Sequence, residues 1–403
     1  MLPQFVSRYR ASKSVILFFA VVMQACLGGT YSWSVYDALF IKQYQVPAPL
    51  ATAPFNLFYV VFPIMLLFAN KLIERFGPRK CAMLGGGLFG CGWIVACLGV
   101  TSFYFTLLGV GLLGGLGVGI AYLIPITVGV AWYPQRRGLV TGLAVAGFAA
   151  GAALVSQVSQ YLLTVGISPY AVLGAIGGCY AVIGIVAGFF MSYPESYSAK
   201  QVAPIQIKRV MKDPLFLTLF IAMTAGLTAG FFINSKLALL SRDNGIELAL
   251  SAVAIFAVSN AAGRLIWGYL SDRSPPSTTI KLNLFIQAMV IALSPVLLQS
   301  DWGTALLACA TGFNYGGVLV LYAASAGHYW GNGAMKTIYA WLFLSNILAA
   351  LINILLGSLY ATAGLNVPIV TLLVMLGFAY LLSGRNLRQN RAGHSEVMLN
   401  ETL

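Results

Sequence analysis

The sequence predicts an all-α membrane protein with twelve transmembrane helices in two pseudo-symmetric six-helix bundles. The first observation is composition: 59% of the 403 residues are hydrophobic and only 8% are charged, a balance outside the range of soluble domains. The second is that apolar runs continue for about 20 residues, the length of a membrane-spanning helix, without the alternation of a transmembrane β-barrel. The third is a motif found once in each half of the chain.

The apolar runs divide the chain into two sets of six, with its longest polar interval between them. This division predicts an N-terminal half at 1–192, a linker at 193–213, a C-terminal half at 214–385 and a tail at 386–403. The predicted spans are 14–36, 50–73, 80–100, 102–131, 138–163 and 168–192, followed by 214–240, 248–271, 280–299, 302–327, 336–361 and 366–384.

The basic residues predict the orientation. Of the 23 lysines and arginines, all but four fall in the two tails, the linker and the alternate loops on one side of the membrane. Lys42, Lys236 and Arg242 lie on the other side, and Arg264 lies inside an apolar run. The positive-inside rule therefore places both termini in the cytoplasm, which we expect to be that of a bacterium with the protein in its inner membrane. It also explains the net charge of +13 without nucleic-acid binding.

The N-terminus resembles a signal peptide, because Arg8, Arg10 and Lys13 precede an apolar run. The run is about 22 residues long, close to a full membrane span, and lacks a clear small-x-small cleavage site. We expect a retained first helix. All six cysteines lie in apolar runs, and no pair has metal-ligand spacing, so no cofactor or metal is expected.

Arg264 is the most informative residue. It precedes the helix-ending Asp272 by eight residues, roughly 12 Å at helical rise, which places it near the bilayer midplane. A guanidinium at that depth costs at least about 2.5–3.5 kcal/mol. Every acidic residue falls in a loop or at a helix end, so none is left at that depth to pair with it. These facts predict that its counter-ion is the substrate; the alternative is an arginine that extends to the interface or has a structural partner.

A repeated motif ends the second and eighth spans. Asn70-Lys-Leu-Ile-Glu74-Arg75 is followed by Arg79, and Gly268-Tyr-Leu-Ser-Asp272-Arg273 recurs in the second half. This pattern resembles the loop motif of the major facilitator superfamily, a family of secondary transporters. The resemblance assigns a gating role to Glu74, Arg75, Arg79, Asp272 and Arg273. Asn70 and Pro275 depart from the motif at positions where the family has glycine.

Three further motifs are similar to one branch of that superfamily, the monocarboxylate transporters and oxalate/formate antiporters. They are Gly28-Gly-Thr-Tyr31-Ser-Trp33, Trp132-Tyr-Pro-Gln-Arg136-Arg137-Gly138-x-x-x-Gly142, and Asn260-x-x-x-Arg264. The resemblance implies that Arg264 holds a substrate carboxylate, with Asn260 one helical turn away. It further implies a substrate cage that is mainly aromatic and apolar. The expected lining residues are Tyr31, Tyr122, Phe148, Tyr315, Leu319, Phe343 and Asn346.

Differences from this branch of the superfamily narrow the range of expected substrates. Asn346 stands where oxalate-type members have lysine, and Val35 where animal monocarboxylate transporters have one. One arginine matches one carboxylate, so we expect a small monocarboxylate such as lactate or pyruvate. Asn260 stands where animal monocarboxylate transporters have an acid, so the residues do not decide how transport is coupled. Proton symport is the preferred coupling, and anion exchange is the alternative.

The expected mechanism is alternating access at a central site between the two halves. The expected partners are the carboxylate, H⁺ and the lipid bilayer, without nucleic acid or an obligate protein partner. A membrane receptor of transporter-like shape and a membrane enzyme are weaker alternatives. The first has no visible signalling domain, and the second has no cluster of histidine, cysteine and acid.

Overall fold

The computed structural model describes residues 12–195, 206–243 and 249–389, and these are almost entirely helical. The helices are α1 Lys13–Gly28, α2 Trp33–Gln43, α3 Ala48–Phe76, α4 Pro78–Ala96, α5 Tyr104–Thr106, α6 Gly114–Ala121, α7 Leu123–Trp132, α8 Arg137–Thr164, α9 Pro169–Phe189, α10 Ile207–Val210, α11 Pro214–Asp243, α12 Ala249–Arg273, α13 Pro276–Leu297, α14 Asp301–Leu342, α15 Ser345–Ala363 and α16 Asn366–Gln389. Parts of the predicted linker and tail, 196–205 and 390–403, lie outside the described residues, and so does 244–248.

Ten helical segments of the described chain are long and apolar enough to cross a membrane. The predicted first and eighth spans form helices but are not among the ten. A 3₁₀ turn at Gly29–Ser32 divides the first into α1 and α2. The described part of the eighth is α12, which includes Asn260 and Arg264.

Several spans depart from a continuous α-helix. The fourth consists of α5, a π-helical segment at Leu107–Leu113, α6 and α7. Helix α14 is interrupted at Gly331, whose φ of 79° is a conformation that glycine adopts readily. The chain therefore bends there, between the predicted tenth and eleventh spans.

The chain forms two compact units. Unit 1 comprises Met1–Gln135 and Gly151–Tyr197, and unit 2 comprises Arg136–Ala150 and Ser198–Leu403. The first half of α8 thus belongs by packing to unit 2, although it precedes the predicted linker. The division into halves at 193–213 stays a prediction.

In unit 1, α4 and α9 approach closely enough for their backbones to touch. A Cβ on Gly86 would lie 2.7 Å from the Cα of Gly184, which is too short for any side chain. Small residues allow such contacts between membrane helices, where packing replaces the hydrophobic effect as the driving force.

Candidate functional site

Arg264 lies in the interior of unit 2. Its side chain is 1% exposed, although a guanidinium is among the most costly groups to bury. It therefore does not extend to a membrane surface, which excludes the snorkelling alternative. The Arg264 Nε donates a hydrogen bond to the Oδ1 of Asn260 at 3.0 Å, and its Nη1 donates to the backbone carbonyl of Val145.

Both of these acceptors are uncharged. Within the described residues no carboxylate binds Arg264. Its positive charge is therefore stabilised by the dipoles of an amide and a carbonyl, and no counter-ion lies beside it in that part of the chain. Asn260 and Arg264 lie four residues apart on α12 and so share one helix face. Val145 lies on α8, one helical turn before Phe148, which is also buried.

Tyr315 and Leu319 follow one another by a single turn on α14, and both are buried. The Tyr315 ring lies 5.9 Å from that of Phe256 on α12. A Cβ on the adjacent Gly316 would lie 2.2 Å from the Asn260 carbonyl oxygen. Packing between α14 and α12 therefore brings the Tyr315 segment beside the Asn260 segment.

Phe343 and Asn346 lie where α14 ends and α15 begins. The Phe343 ring is 5.7 Å from that of Tyr339, and the Tyr339 hydroxyl donates to the Leu319 carbonyl at 3.0 Å. The Asn346 Nδ2 donates to the Phe343 carbonyl at 2.9 Å. Phe343 and Asn346 are therefore connected through Tyr339 to Leu319, which lies one turn from Tyr315 on α14.

The other two predicted lining residues belong to unit 1. Tyr122 is 2% exposed, its ring lies 5.1 Å from that of Phe62, and its carbonyl accepts a hydrogen bond from Gln24. Tyr31 is in the 3₁₀ turn Gly29–Ser32, and its side chain lies outside the described residues.

The C-terminal end of α12 is bound to the start of α8. The carboxylate of Asp272 accepts hydrogen bonds from the backbone amides of Gly138 at 2.7 Å and Leu139 at 2.9 Å. These amides belong to the first turn of α8, where backbone donors have no intrahelical partner and the helix dipole favours a negative charge. Arg273 instead places its guanidinium 4.0 Å from the ring centroid of Tyr269.

In the first copy of the motif, the described contacts of the arginines are with aromatic rings. The Arg79 guanidinium lies 4.8 Å from the Phe189 ring centroid, and that of Arg75 lies 5.2 Å from Phe76. Glu74 and Arg75 are exposed. The gating role of both copies stays a prediction.

Sequence reasoning missed the seam between α8 and α12. A Cβ on Gly138 would lie 2.2 Å from the Gly268 carbonyl oxygen, and one on Gly142 would lie 2.3 Å from the Arg264 carbonyl oxygen. In the sequence, the Gly138-x-x-x-Gly142 spacing is part of the motif that resembles the monocarboxylate branch. This spacing is typical of close helix contact in membranes, so it was the available signal.

Comparison with known proteins agrees with this architecture. The model of the Major Facilitator Superfamily matches residues 16–354. The oxalate:formate antiporter of Oxalobacter formigenes is 25% identical over 86% of this chain and 84% of its own. Monocarboxylate transporter 13 of Bos taurus is 27% identical over 71% of this chain and 67% of its own. The solved structure of the proton:xylose symporter XylE superposes with a TM-score of 0.71 at 14% identity, covering 93% of this chain and 96% of that one.

The chain belongs to the Major Facilitator Superfamily. It is a multi-pass integral membrane transporter and not an enzyme, and its relatives include transporters of monocarboxylates and of oxalate and formate.

Proposed function

We propose that this protein carries out secondary active transport of a small monocarboxylate, such as lactate or pyruvate, by alternating access. The observation that carries the proposal is the buried Arg264, whose only partners in the described chain are uncharged. A carboxylate would complete this environment, because charge-assisted and forked hydrogen bonds are the strongest that a guanidinium makes. The names of the two relatives, which mention a monocarboxylate and the anions oxalate and formate, support the same substrate class.

The proposed substrate is a monoanion. Asn346 is buried and its amide binds the Phe343 carbonyl, so this predicted lining position offers no second cation. Tyr315, Leu319, Phe343 and Phe148 would surround a short alkyl chain, and Tyr31 and Tyr122 stay predicted lining residues. A dianion would leave one carboxylate without a cation in this cage.

Proton symport is the proposed coupling, with the carboxylate and the proton crossing together. The proposed location of the protein is the inner membrane of a bacterium, with both termini in the cytoplasm, as the positive-inside rule indicates. Glu74, Arg75, Arg79, Asp272 and Arg273 are the proposed gating residues. An exchanger of small organic anions is the second candidate, and the similarity to an oxalate:formate antiporter favours it.

The test is uptake of labelled lactate into proteoliposomes driven by a pH gradient, acid outside. The native protein is expected to accumulate lactate, and Arg264→Gln is expected to abolish uptake because it removes the buried positive charge proposed to bind the carboxylate. Arg385→Gln, an exposed arginine on α16, is the matched control and should retain uptake. Undiminished uptake by Arg264→Gln would refute the proposed binding role.

The same vesicles distinguish the two couplings. If uptake ignores the pH gradient and requires lactate or another anion inside, the protein is an exchanger. If the gradient alone drives accumulation into empty vesicles, it is a symporter.

A further inference from the structure

We propose that the backbone carbonyl of Val145 is an internal ligand of Arg264, which the substrate carboxylate displaces, and that this displacement releases the α8–α12 seam. The inference rests on the proposed function, since it takes a carboxylate as the ligand of Arg264. Its evidence lies entirely within unit 2: the hydrogen bond from Arg264 Nη1 to Val145, the contacts along the seam and the binding of Asp272 to the first turn of α8.

The donors of Arg264 are partly occupied. A guanidinium has five N–H groups, and a carboxylate binds best to two parallel ones. Because Asn260 holds Nε, the side-on pair that includes Nε is taken. The end-on pair takes one of the two N–H groups of Nη1 and one of Nη2, and Val145 accepts a hydrogen bond from Nη1. A carboxylate that takes this pair competes with Val145 and leaves the bond to Asn260 in place.

The competition favours the substrate. A carboxylate adds the attraction between opposite charges and can accept from two parallel N–H groups, whereas Val145 offers the guanidinium a single neutral carbonyl. Asn260 therefore acts as a positioning residue: it fixes the guanidinium through Nε and leaves the other edge for the anion.

The Val145 bond is one of three connections between the same two helices. Gly138 and Gly142 bring the α8 backbone against Gly268 and the Arg264 carbonyl, and Asp272 holds the Gly138 and Leu139 amides. Since Arg264 and Asp272 lie eight residues apart on one helix, movement at one is transmitted to the other by a rigid element. Loss of the Val145 bond therefore weakens the contact at Asp272.

This arrangement makes substrate binding and opening of the seam a single event. Without substrate, Val145, the glycine contacts and Asp272 hold α8 against α12. With substrate, Arg264 turns to the carboxylate and the seam is held by two connections in place of three. Ligand binding shifts the equilibrium by its different affinity for the two states.

The first experiment uses the full-length native protein in nanodiscs. L-lactate binding is measured by thermal shift, and hydrogen–deuterium exchange is then followed in peptides covering residues 137–150. Saturating lactate is expected to raise the exchange rate of the Gly138 and Leu139 amides about threefold to tenfold, since exchange follows local opening. Peptides at the start of α16, which has no part in the seam, should not respond.

The second experiment uses Gly142→Ala, whose Cβ would press on the Arg264 carbonyl and separate the helices. Because Val145 no longer competes, lactate should bind about threefold to tenfold more tightly, where each tenfold corresponds to about 1.4 kcal/mol. Exchange at Gly138 and Leu139 should already be fast without lactate. Gly377→Ala in α16, where a Cβ meets nothing within 4 Å, is the control and should behave as native.

The outcomes separate the two proposals. If neither lactate nor pyruvate stabilises the native protein, the proposed function fails and the inference with it. If lactate binds but exchange at Gly138 and Leu139 does not rise, the inference alone is wrong. Weaker lactate binding by a folded Gly142→Ala would also overturn it, and the native measurement decides the matter should that variant not fold.

Discussion

The interiors of the two units differ in their charge. Among the described residues, unit 2 buries two charged side chains: Arg264 in the middle of α12 and Asp213 at the start of α11. The buried polar side chains of unit 1 are neutral amides and hydroxyls, such as Gln24, Thr30 and Ser159. If the substrate is an anion, Arg264 makes unit 2 the unit that can offer it a buried positive charge.

The largest expected effect tests this asymmetry of charge. Arg264→Lys keeps the positive charge but loses the fork, so it cannot bind Asn260, Val145 and a carboxylate in the native arrangement. We expect the initial rate of lactate uptake to fall at least about tenfold. The unit 1 counterpart, Tyr122→Phe, removes one hydroxyl and should reduce the rate by less than tenfold. Equal losses in proteoliposome uptake would show that the Tyr122 hydroxyl matters as much for transport as the forked guanidinium of Arg264.

Close helix packing, unlike charge, is common to both units. In unit 2, a Cβ on Gly263 would lie 1.9 Å from the Phe313 carbonyl oxygen; in unit 1, a Cβ on Gly151 would lie 1.9 Å from the Ala25 carbonyl oxygen. Gly263→Ala and Gly151→Ala should therefore each lower the free energy of unfolding by about 1–3 kcal/mol, the cost of forcing atoms into a packed interior.

The measurement is thermal unfolding of the purified protein in detergent. Gly178→Ala in unit 1 and Gly377→Ala in unit 2 are the controls, since a Cβ at either position meets nothing within 4 Å. A fall in the midpoint temperature for only one of Gly263→Ala and Gly151→Ala would show that the units differ in packing as well as in charge.

Sequence reasoning predicted the fold and the deep arginine because both depend on local properties. Apolar length identified the spans, and the cost of a buried charge identified Arg264. It did not predict that Val145 binds Arg264 or that Asp272 binds the Gly138 and Leu139 amides, because backbone groups look alike in every sequence. The break at Gly29–Ser32 escaped prediction as well, since an apolar run does not reveal where its helix stops being regular.

Two buried amides pair across α13 and α14, and neither was predicted. The Nδ2 of Asn283 donates to the backbone carbonyl and side-chain oxygen of Asn314, at 2.9 and 3.1 Å. The Nδ2 of Asn314 donates in return to the Asn283 carbonyl at 2.7 Å. The polar side chains of both residues carry no charge, so the sequence alone gave no reason to place them together inside a membrane protein.

The smallest expected effect compares this pair with its unit 1 counterpart, in which Tyr36 and Ser159 share one hydrogen bond of 2.7 Å. Hydrogen bonds between membrane helices contribute about 0.6 kcal/mol on average and up to about 1.7. A double-mutant cycle of Tyr36→Phe and Ser159→Ala should therefore give a coupling near 0.6 kcal/mol. Asn283→Ala and Asn314→Ala should also give a coupling of about 0.6 kcal/mol, read from thermal or denaturant unfolding, because only the bond from Asn283 to the side-chain oxygen of Asn314 needs both side chains. Each of the two bonds to a backbone carbonyl is lost when the donating side chain alone is removed. A coupling well above about 1.7 kcal/mol for either pair would contradict this expectation.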